Sequence, residues 1–171
     1  MKTQGYAAHA SGAPLQPFSF ERRALRPNDV ALEILYCGVC HTDLHMSRND
    51  WGWTTYPIVP GHEIVGRVIA VGSGVTRHKV GDAVAVGCMV DSCMECDQCH
   101  KGEEQLCREG LTMTYGSQDR ITRQITHGGY SKHVVVRQEF VLKVPSGLDL
   151  ARAAPLLCAG ITTYSPLRTW N

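Results

Sequence analysis

Hydrophobic positions along the chain fall into short runs broken by glycine and proline, not into long helical stripes. Val30-Ala-Leu32-Glu-Ile34-Leu-Tyr36 places residues 30, 32, 34 and 36 on one face, the alternation of a half-buried strand. Thr3 to about Ala8 reads as a short strand, and Glu63 to Val71 as a strongly β-prone run ended by Gly72-Ser-Gly74. A turn at Val80-Gly81-Asp82 leads into Ala83-Val-Ala-Val86. Gly128-Gly129 opens a strand from Tyr130 to Val136, and Phe140 to Val144 is one more. Helical signals are few. Cys40 to Ser47 fits a short helix, Asp149 is placed to cap another through Ala154, and Ile161 to Leu167 reads as the start of a third. Two stretches carry little periodicity: the aromatic loop Asn49 to Tyr56, with Trp51 and Trp53, and the polar segment Thr112 to His127. Many short strands separated by turns predict a mainly-β barrel.

Size and charge narrow the function classes. A chain of 171 residues can bury one core with room for an appendage. Its 17 Lys and Arg nearly cancel 16 Asp and Glu, leaving no electrostatic footprint for nucleic acid or an anionic membrane. Met1-Lys-Thr-Gln-Gly-Tyr6 lacks an apolar leader core, and no apolar run is long enough to span a bilayer. A cytoplasmic location is the expectation.

Eight cysteines alter that picture. In a reducing compartment such a set is more often metal-binding than a disulfide framework, the alternative that an even count would fit. Cys93-Met-Glu-Cys96-Asp-Gln-Cys99 followed by Cys107 forms a C-x2-C-x2-C-x7-C array. Four thiolates suit a tetrahedral zinc and leave no position for a substrate, so the expected role is structural. Lys101 and Arg108 stand near enough in sequence to offset the excess negative charge. An iron–sulfur cluster is the other reading, but its last spacing is shorter and its final Cys precedes Pro, where this chain has Arg108.

A second gathering of metal-ligand types runs from Cys37 to Glu63: Cys40-His41-Thr42-Asp43-Leu44-His45, then Pro60-Gly61-His62-Glu63. Taken singly, each residue has an ordinary explanation. Cys158 lies in an apolar run and reads as a core cysteine. Asp43 and Thr42 fit the first turn of a helix, His45 a surface position, and Glu63 a strand-edge ion pair. Cys37 reads as core. Cys88, Met89, Trp51 and Trp53 fit either packing or a substrate pocket, and His41, His100, His127 and His133 are expected at the surface as non-ligands.

Together the motifs carry a resemblance. Gly61-His62-Glu63-x2-Gly66-x5-Gly72-x2-Val75 is similar to the signature of zinc-containing alcohol dehydrogenases of the medium-chain dehydrogenase/reductase superfamily. The Cys40–His45 hexapeptide, the four-cysteine array and Leu157-Cys158-Ala-Gly160-Ile-Thr162-Thr-Tyr164 resemble its cinnamyl alcohol dehydrogenase-like branch, which includes bacterial broad-specificity aldehyde reductases. The resemblance implies a GroES-like, partly open barrel and two zinc ions. It implies Cys40, His62 and Cys158 as ligands of a catalytic zinc, that family's Cys2His set with one open position, and Glu63 behind the metal as a carboxylate or occasional ligand. Asp43 would bond the far nitrogen of His62. Thr42 would take the substrate proton and pass it, through the cofactor ribose, to His45; Gly160 and Thr162 would lie against the nicotinamide. Cys93, Cys96, Cys99 and Cys107 would hold the structural zinc. The implied reaction is reversible hydride transfer between NADP(H) and a primary alcohol or aldehyde, aromatic or medium aliphatic.

One departure is large. Gly72-Ser-Gly74 lacks the third glycine of a dinucleotide fingerprint, since Arg77 stands there, and no β-α-β pattern surrounds it. The expectation is therefore that residues 1–171 form the N-terminal catalytic domain alone, without its Rossmann domain. Within it lie a zinc lobe at about 88–112 and the start of a crossover helix at about 159–171. A homodimer would form through the missing half. The alternative is a zinc-binding domain with a structural role only.

Overall fold

The computed structural model describes residues 1–170. Nine strands follow in chain order: β1 (Lys2–Ala7), β2 (Gln16–Glu21), β3 (Asp29–Cys37), β4 (Ile64–Val71), β5 (Ala83–Val86), β6 (Met89–Asp91), β7 (Thr112–Met113), β8 (His133–Arg137) and β9 (Leu142–Lys143). Four short helices complete the fold: α1 (His41–Arg48), α2 (Asp97–His100), α3 (Leu150–Ala153) and α4 (Ala159–Thr169). The main sheet has the order β8-β3-β4-β5-β9, with β1-β2 and β6-β7 as separate hairpin-like pairs. Every pair among the described strands is antiparallel, so no β-α-β dinucleotide-binding unit occurs among them. The architecture is mainly β, as the short strands predicted.

The register explains the core. Val30 sits opposite Val71 and Val136, Leu32 opposite Val68 and Val134, and Ile64 opposite Val86. Val30, Leu32, Ile64, Val68, Val84, Val86, Val134 and Val136 form one buried cluster. Each such side chain contributes about 1.5–3 kcal/mol of transfer free energy, which makes the sheet the element that holds the chain together. The helices contribute little by comparison, and α4 buries none of its described residues.

Several expectations shift. Residue 36 does not share the inward face of residues 30, 32 and 34, because a bulge between Ile34 and Tyr36 turns Tyr36 out to 47% exposure. The strand expected from Tyr130 begins at His133, since Tyr130 gives its amide to Pro60 and its carbonyl to Tyr6, partners outside the main sheet. Phe140 lies in a 3-10 turn at Gln138–Phe140, leaving only Leu142 and Lys143 as strand. Asp149 does cap a helix, accepting from the Arg152 amide at 3.0 Å, but Ala154 passes into a 3-10 turn at Ala154–Leu157. β2, β6 and β7 are additional strands. β2 carries Pro17, which is tolerated because the strand lies in a two-stranded sheet with an open edge.

The polar segment between Thr112 and His127 is ordered by charge and hydrogen bonds instead of apolar periodicity. Asp119 accepts from Arg26 at 2.5 Å and from the Ile121 and Thr122 amides at 3.0 and 2.8 Å, with Arg23 Nε 3.1 Å away. Arg23 also pairs with Asp29 at the start of β3. Buried Arg22 donates to the carbonyls of His133, His127 and Gly128 and to the Ser131 hydroxyl. His127 is half-buried instead of exposed, its ring 4.7 Å from that of Phe20. Burial, then the charge of Arg22, lowers its pKa to about 4. His133 is also half-buried and meets the Thr3 hydroxyl at 3.1 Å, whereas His41 and His100 are exposed as expected.

Candidate metal centres

The first centre is assembled from three places in the chain. Cys40 is the N-cap of α1, in extended backbone conformation; its sulfur receives the Asp43 amide, and the Asp43 carboxylate returns to the Cys40 amide at 3.0 Å. This is a capping box with a thiol in the usual hydroxyl position. It fixes the Cys40 side chain at the helix N-terminus. The turn Pro60-Gly61-His62-Glu63 enters β4 with Gly61 at φ +101°, and a Cβ there would lie 2.7 Å from the Tyr130 ring and 2.8 Å from Cys37 Sγ. Only glycine meets both demands. Cys158 arrives last, capping α4 after the 3-10 turn Ala154–Leu157.

Ligand atoms of Cys40, His62, Glu63 and Cys158 all lie within 4.8 Å of one another. The two sulfurs are 3.7 Å apart and unbonded. Two zinc–thiolate bonds of about 2.3 Å at a tetrahedral angle subtend about 3.8 Å, so the spacing fits a shared zinc ion. His62 and Glu63 are buried, at 3% and 4% exposure. Burial pushes the Glu63 carboxyl above its ordinary range, only partly countered by His62. Room for that carboxylate comes from Gly38, where a Cβ would lie 1.9 Å from Glu63 Oε2.

Behind His62 stands Asp43, itself 3% exposed. Oδ1 lies 3.3 Å from His62 Nδ1 and accepts from the Gly61 amide at 2.9 Å and the Tyr115 hydroxyl at 2.7 Å. Oδ2 accepts from the Cys40 amide and the Tyr130 hydroxyl, each at 3.0 Å. Burial alone would raise the carboxyl; the bonds from His62, Cys40, Tyr115 and Gly61 outweigh it and hold the pKa below the ordinary value. An ionised Asp43 keeps the proton of His62 on Nδ1 and leaves Nε2 to the ligand group. For His62, burial acts to lower the pKa, and the Asp43 bond and charge overcome it to raise it. The phenols of Tyr115 and Tyr130 are pushed above the ordinary tyrosine value by burial and by Asp43, so both remain donors. Neither tyrosine belongs to a local motif. The only sequence signal is general: a buried tyrosine hydroxyl needs a partner.

The remaining expected residues lie close by. Thr42 Oγ1 is 3.7 Å from Cys40 Sγ. His45 is one turn further along α1, partly exposed, with Nδ1 2.8 Å from Asp50 Oδ2 and its ring 5.1 Å from Trp51. No hydrogen bond joins Thr42 to His45 among the described residues. Gly160 and Thr162 occupy the first turn of α4, where the Thr162 amide donates to the Cys158 carbonyl at 3.0 Å. Trp51 and Trp53 stack at 5.9 Å on the exposed loop, whereas Cys88 and Met89 line a different feature. That is an apolar cavity of about 670 Å³ reaching Gly160 and Ile161. Cys37 packs against the main core, and burial pushes its thiol up to about 12.

The second centre is local. Cys93, Cys96, Cys99 and Cys107 also bring their sulfurs within 4.8 Å of one another, Cys93 to Cys99 at 3.8 Å and Cys96 to Cys99 at 3.5 Å. All four thiols are unbonded, and the amides of Cys96 and Cys93 point at Cys93 Sγ and Cys107 Sγ. Cys96 caps α2, and Met94 takes a left-handed φ of 61°, which folds the C-x2-C turn back on itself. Arg108 bonds Asp97 at 2.7 Å, so its charge is engaged by a carboxylate. β6 and β7 join this lobe to the barrel.

Fold and thiol clusters together define a mainly-β lobe with two side-chain groups that could hold a metal ion. Residues 26–146 match the family described as alcohol dehydrogenase GroES-like domain, and the chain belongs to that family. It is 54% identical over 167 residues to NADP-dependent alcohol dehydrogenase C 1 of Mycolicibacterium smegmatis, covering 97% of this chain and 48% of that protein. Aldehyde reductase YahK of Escherichia coli is 52% identical over 172 residues, 100% of this chain and 49% of the relative. A cinnamyl alcohol dehydrogenase from Sorghum bicolor superposes with a TM-score of 0.95 at 47% identity, covering 99% of this chain and 48% of that one. The cinnamyl alcohol dehydrogenase of Helicobacter pylori, solved with NADP(H), gives 0.93 at 42% identity over 98% of this chain and 48% of its own. The chain thus spans about half the length of these relatives. Among the described residues no helix is long and apolar enough to cross a membrane.

Proposed function

We propose that the chain is the zinc-bearing catalytic lobe of an NADP(H)-dependent oxidoreductase that interconverts primary alcohols and aldehydes, aromatic or medium aliphatic. On this reading residues 1–171 form the N-terminal catalytic domain, and α4 leads towards a cofactor domain. The observation that carries it is the cluster of Cys40, His62, Glu63 and Cys158, with its sulfurs 3.7 Å apart and Asp43 behind the imidazole. Named relatives that use NADP support the choice of cofactor.

Cys40, Cys158 and His62 would hold the catalytic zinc, with Glu63 as a reserve ligand; Cys93, Cys96, Cys99 and Cys107 would hold a structural one. A zinc ion bound in the first group supplies Lewis acidity towards an alcohol or aldehyde oxygen. Oxidation of an alcohol releases a hydride and a proton, and this chain's own residues handle the proton. Thr42 can accept it on its hydroxyl while donating its own onward, since a hydroxyl does both. His45, at the surface and oriented by Asp50, delivers it to solvent. Gly160 and Thr162, beside Cys158, would face the nicotinamide. The exchange runs backwards for aldehyde reduction.

Metal analysis tests the centre directly. The parent chain should carry two equivalents of zinc, and Cys40→Ser should retain one; a single equivalent in the parent would overturn the reading. The 171-residue chain with NADPH and an aromatic aldehyde should show no turnover, because its described residues contain no dinucleotide fold. Appreciable turnover would contradict the division between catalytic lobe and cofactor domain.

A further inference from the structure

We infer that Tyr115 and Tyr130 are positioning residues of the first metal centre: their hydroxyls clamp opposite oxygens of Asp43, and through it set the orientation and metal affinity of His62. The inference rests on the proposed catalytic-zinc reading and extends it to residues outside any metal-ligand motif.

The geometry gives Asp43 an unusually full set of donors. Oδ1 faces the Gly61 amide, the Tyr115 hydroxyl and His62; Oδ2 faces the Cys40 amide and the Tyr130 hydroxyl. The two amides come from the backbone beside Cys40 and His62, so they fix Asp43 relative to the ligand-bearing segments. The two phenols come from elsewhere, 72 and 87 residues along the chain. Tyr115 is 2% exposed, packs with Met46 and Ile58, and lies with its ring 5.7 Å from the His62 ring. Tyr130 is held at its backbone by Pro60 and Tyr6, and its ring fills the space left by Gly61.

A carboxylate held only by the two amides could rotate about its terminal bond, and Oδ1 would then drift from Nδ1. A phenol on each oxygen removes that freedom and fixes the carboxylate plane. The His62 to Asp43 separation of 3.3 Å is the longest of the five contacts, so it is the one a small rotation would break first. Hydrogen-bond partners of metal-bound histidines typically change metal affinity by about 10–100-fold when removed.

The four-cysteine centre supplies an internal control within the same molecule. Zinc affinities of both centres would be measured by chelator competition, and the first centre would be replaced by cobalt for absorption spectroscopy. Tyr115→Phe and Tyr130→Phe are each expected to weaken zinc at the first centre by roughly 3–10-fold, and both together by about 10–100-fold. The zinc affinity of the four-thiolate centre should stay unchanged, while the thermal unfolding midpoint of the metallated chain should fall only as far as the weaker binding and the lost hydrogen bonds require. The cobalt visible bands of the first centre should shift in the same variants. In an Asp43→Asn background the tyrosine changes should add nothing further, since the carboxylate they act through is gone. Unchanged affinity and spectra in the double Phe variant would overturn the inference while leaving two zinc sites intact. So would equal losses with and without the Asp43 carboxylate, and so would a matched loss at both centres. A parent chain that binds one zinc only would instead overturn the catalytic-centre reading, and this inference with it.

Discussion

At the scale of single residues, the proposed metal centre depends on positions outside the ligand set. Gly61 combines a φ of +101° with three contacts that a Cβ would bring under 3 Å, two to Tyr130 and one to Cys37. Backbone strain of this kind costs about 1–3 kcal/mol, and the contacts add to it. Gly61→Ala should therefore lower the unfolding free energy by at least that amount in urea titrations at saturating zinc, and should weaken the first centre. An unaltered midpoint would show that the turn is more pliable than its contacts imply. The gathering of Cys40 and His62 was readable from sequence because both sit in short motifs with fixed neighbours. Asp43 was readable for the same reason. Tyr115 and Tyr130 were not, since nothing local distinguishes them from packing tyrosines, and their partner lies far away along the chain.

Elements show a similar contrast between local and distant causes. The central strands were legible in their alternating residues, yet Tyr36 turns outward at a bulge set by the partner strand, which no pattern within β3 reveals. Phe140 reads as strand by composition but is claimed by a turn whose Gln138 side chain accepts the Thr76 amide at 3.0 Å. The segment around Asp119 had no pattern to read because its order comes from ion pairs with Arg23 and Arg26. Its electrostatics give a testable sign. Burial raises the Asp119 carboxyl, while bonds from Arg26, Thr122 and Ile121 overcome this and hold it at about 2. An unfolded aspartate titrates near about 3.9, so on acidification the unfolded chain takes up the proton first. The stabilisation is complete above about pH 4 and is lost as the pH falls through about 2. Asp119→Asn should thus be clearly less stable than the parent at pH 7, and the gap measured by urea unfolding should narrow by pH 3. A gap independent of pH would assign the effect to packing.

On the scale of the whole molecule, the two thiol clusters differ in how they are supported. The first is built into the barrel, with buried His62, Glu63 and Asp43 around it. The second stands on a lobe whose only regular structure is α2 and a 3-10 turn at Glu104–Leu106, with Cys99 and Cys107 the buried hydrophobic residues between Cys93 and Cys107. Loss of the first ion should leave the barrel folded. On the proposed two-zinc reading, Cys99→Ser, which would disable the second, should lower the thermal midpoint and solubility more than Cys40→Ser does. Equal effects of the two changes in a melting experiment would contradict this division.

The thinness of that lobe has a practical side. Lys101 and Arg108 are exposed on it, between and beside the cysteines. With the ion in place the backbone around them is clamped and should resist trypsin. Stripped of metal, the same stretch has almost no apolar interior to fall back on and should be nicked before any strand of the barrel. The rate at which fragments appear on a gel would then serve as a simple gauge of how much of a preparation carries the proposed structural ion.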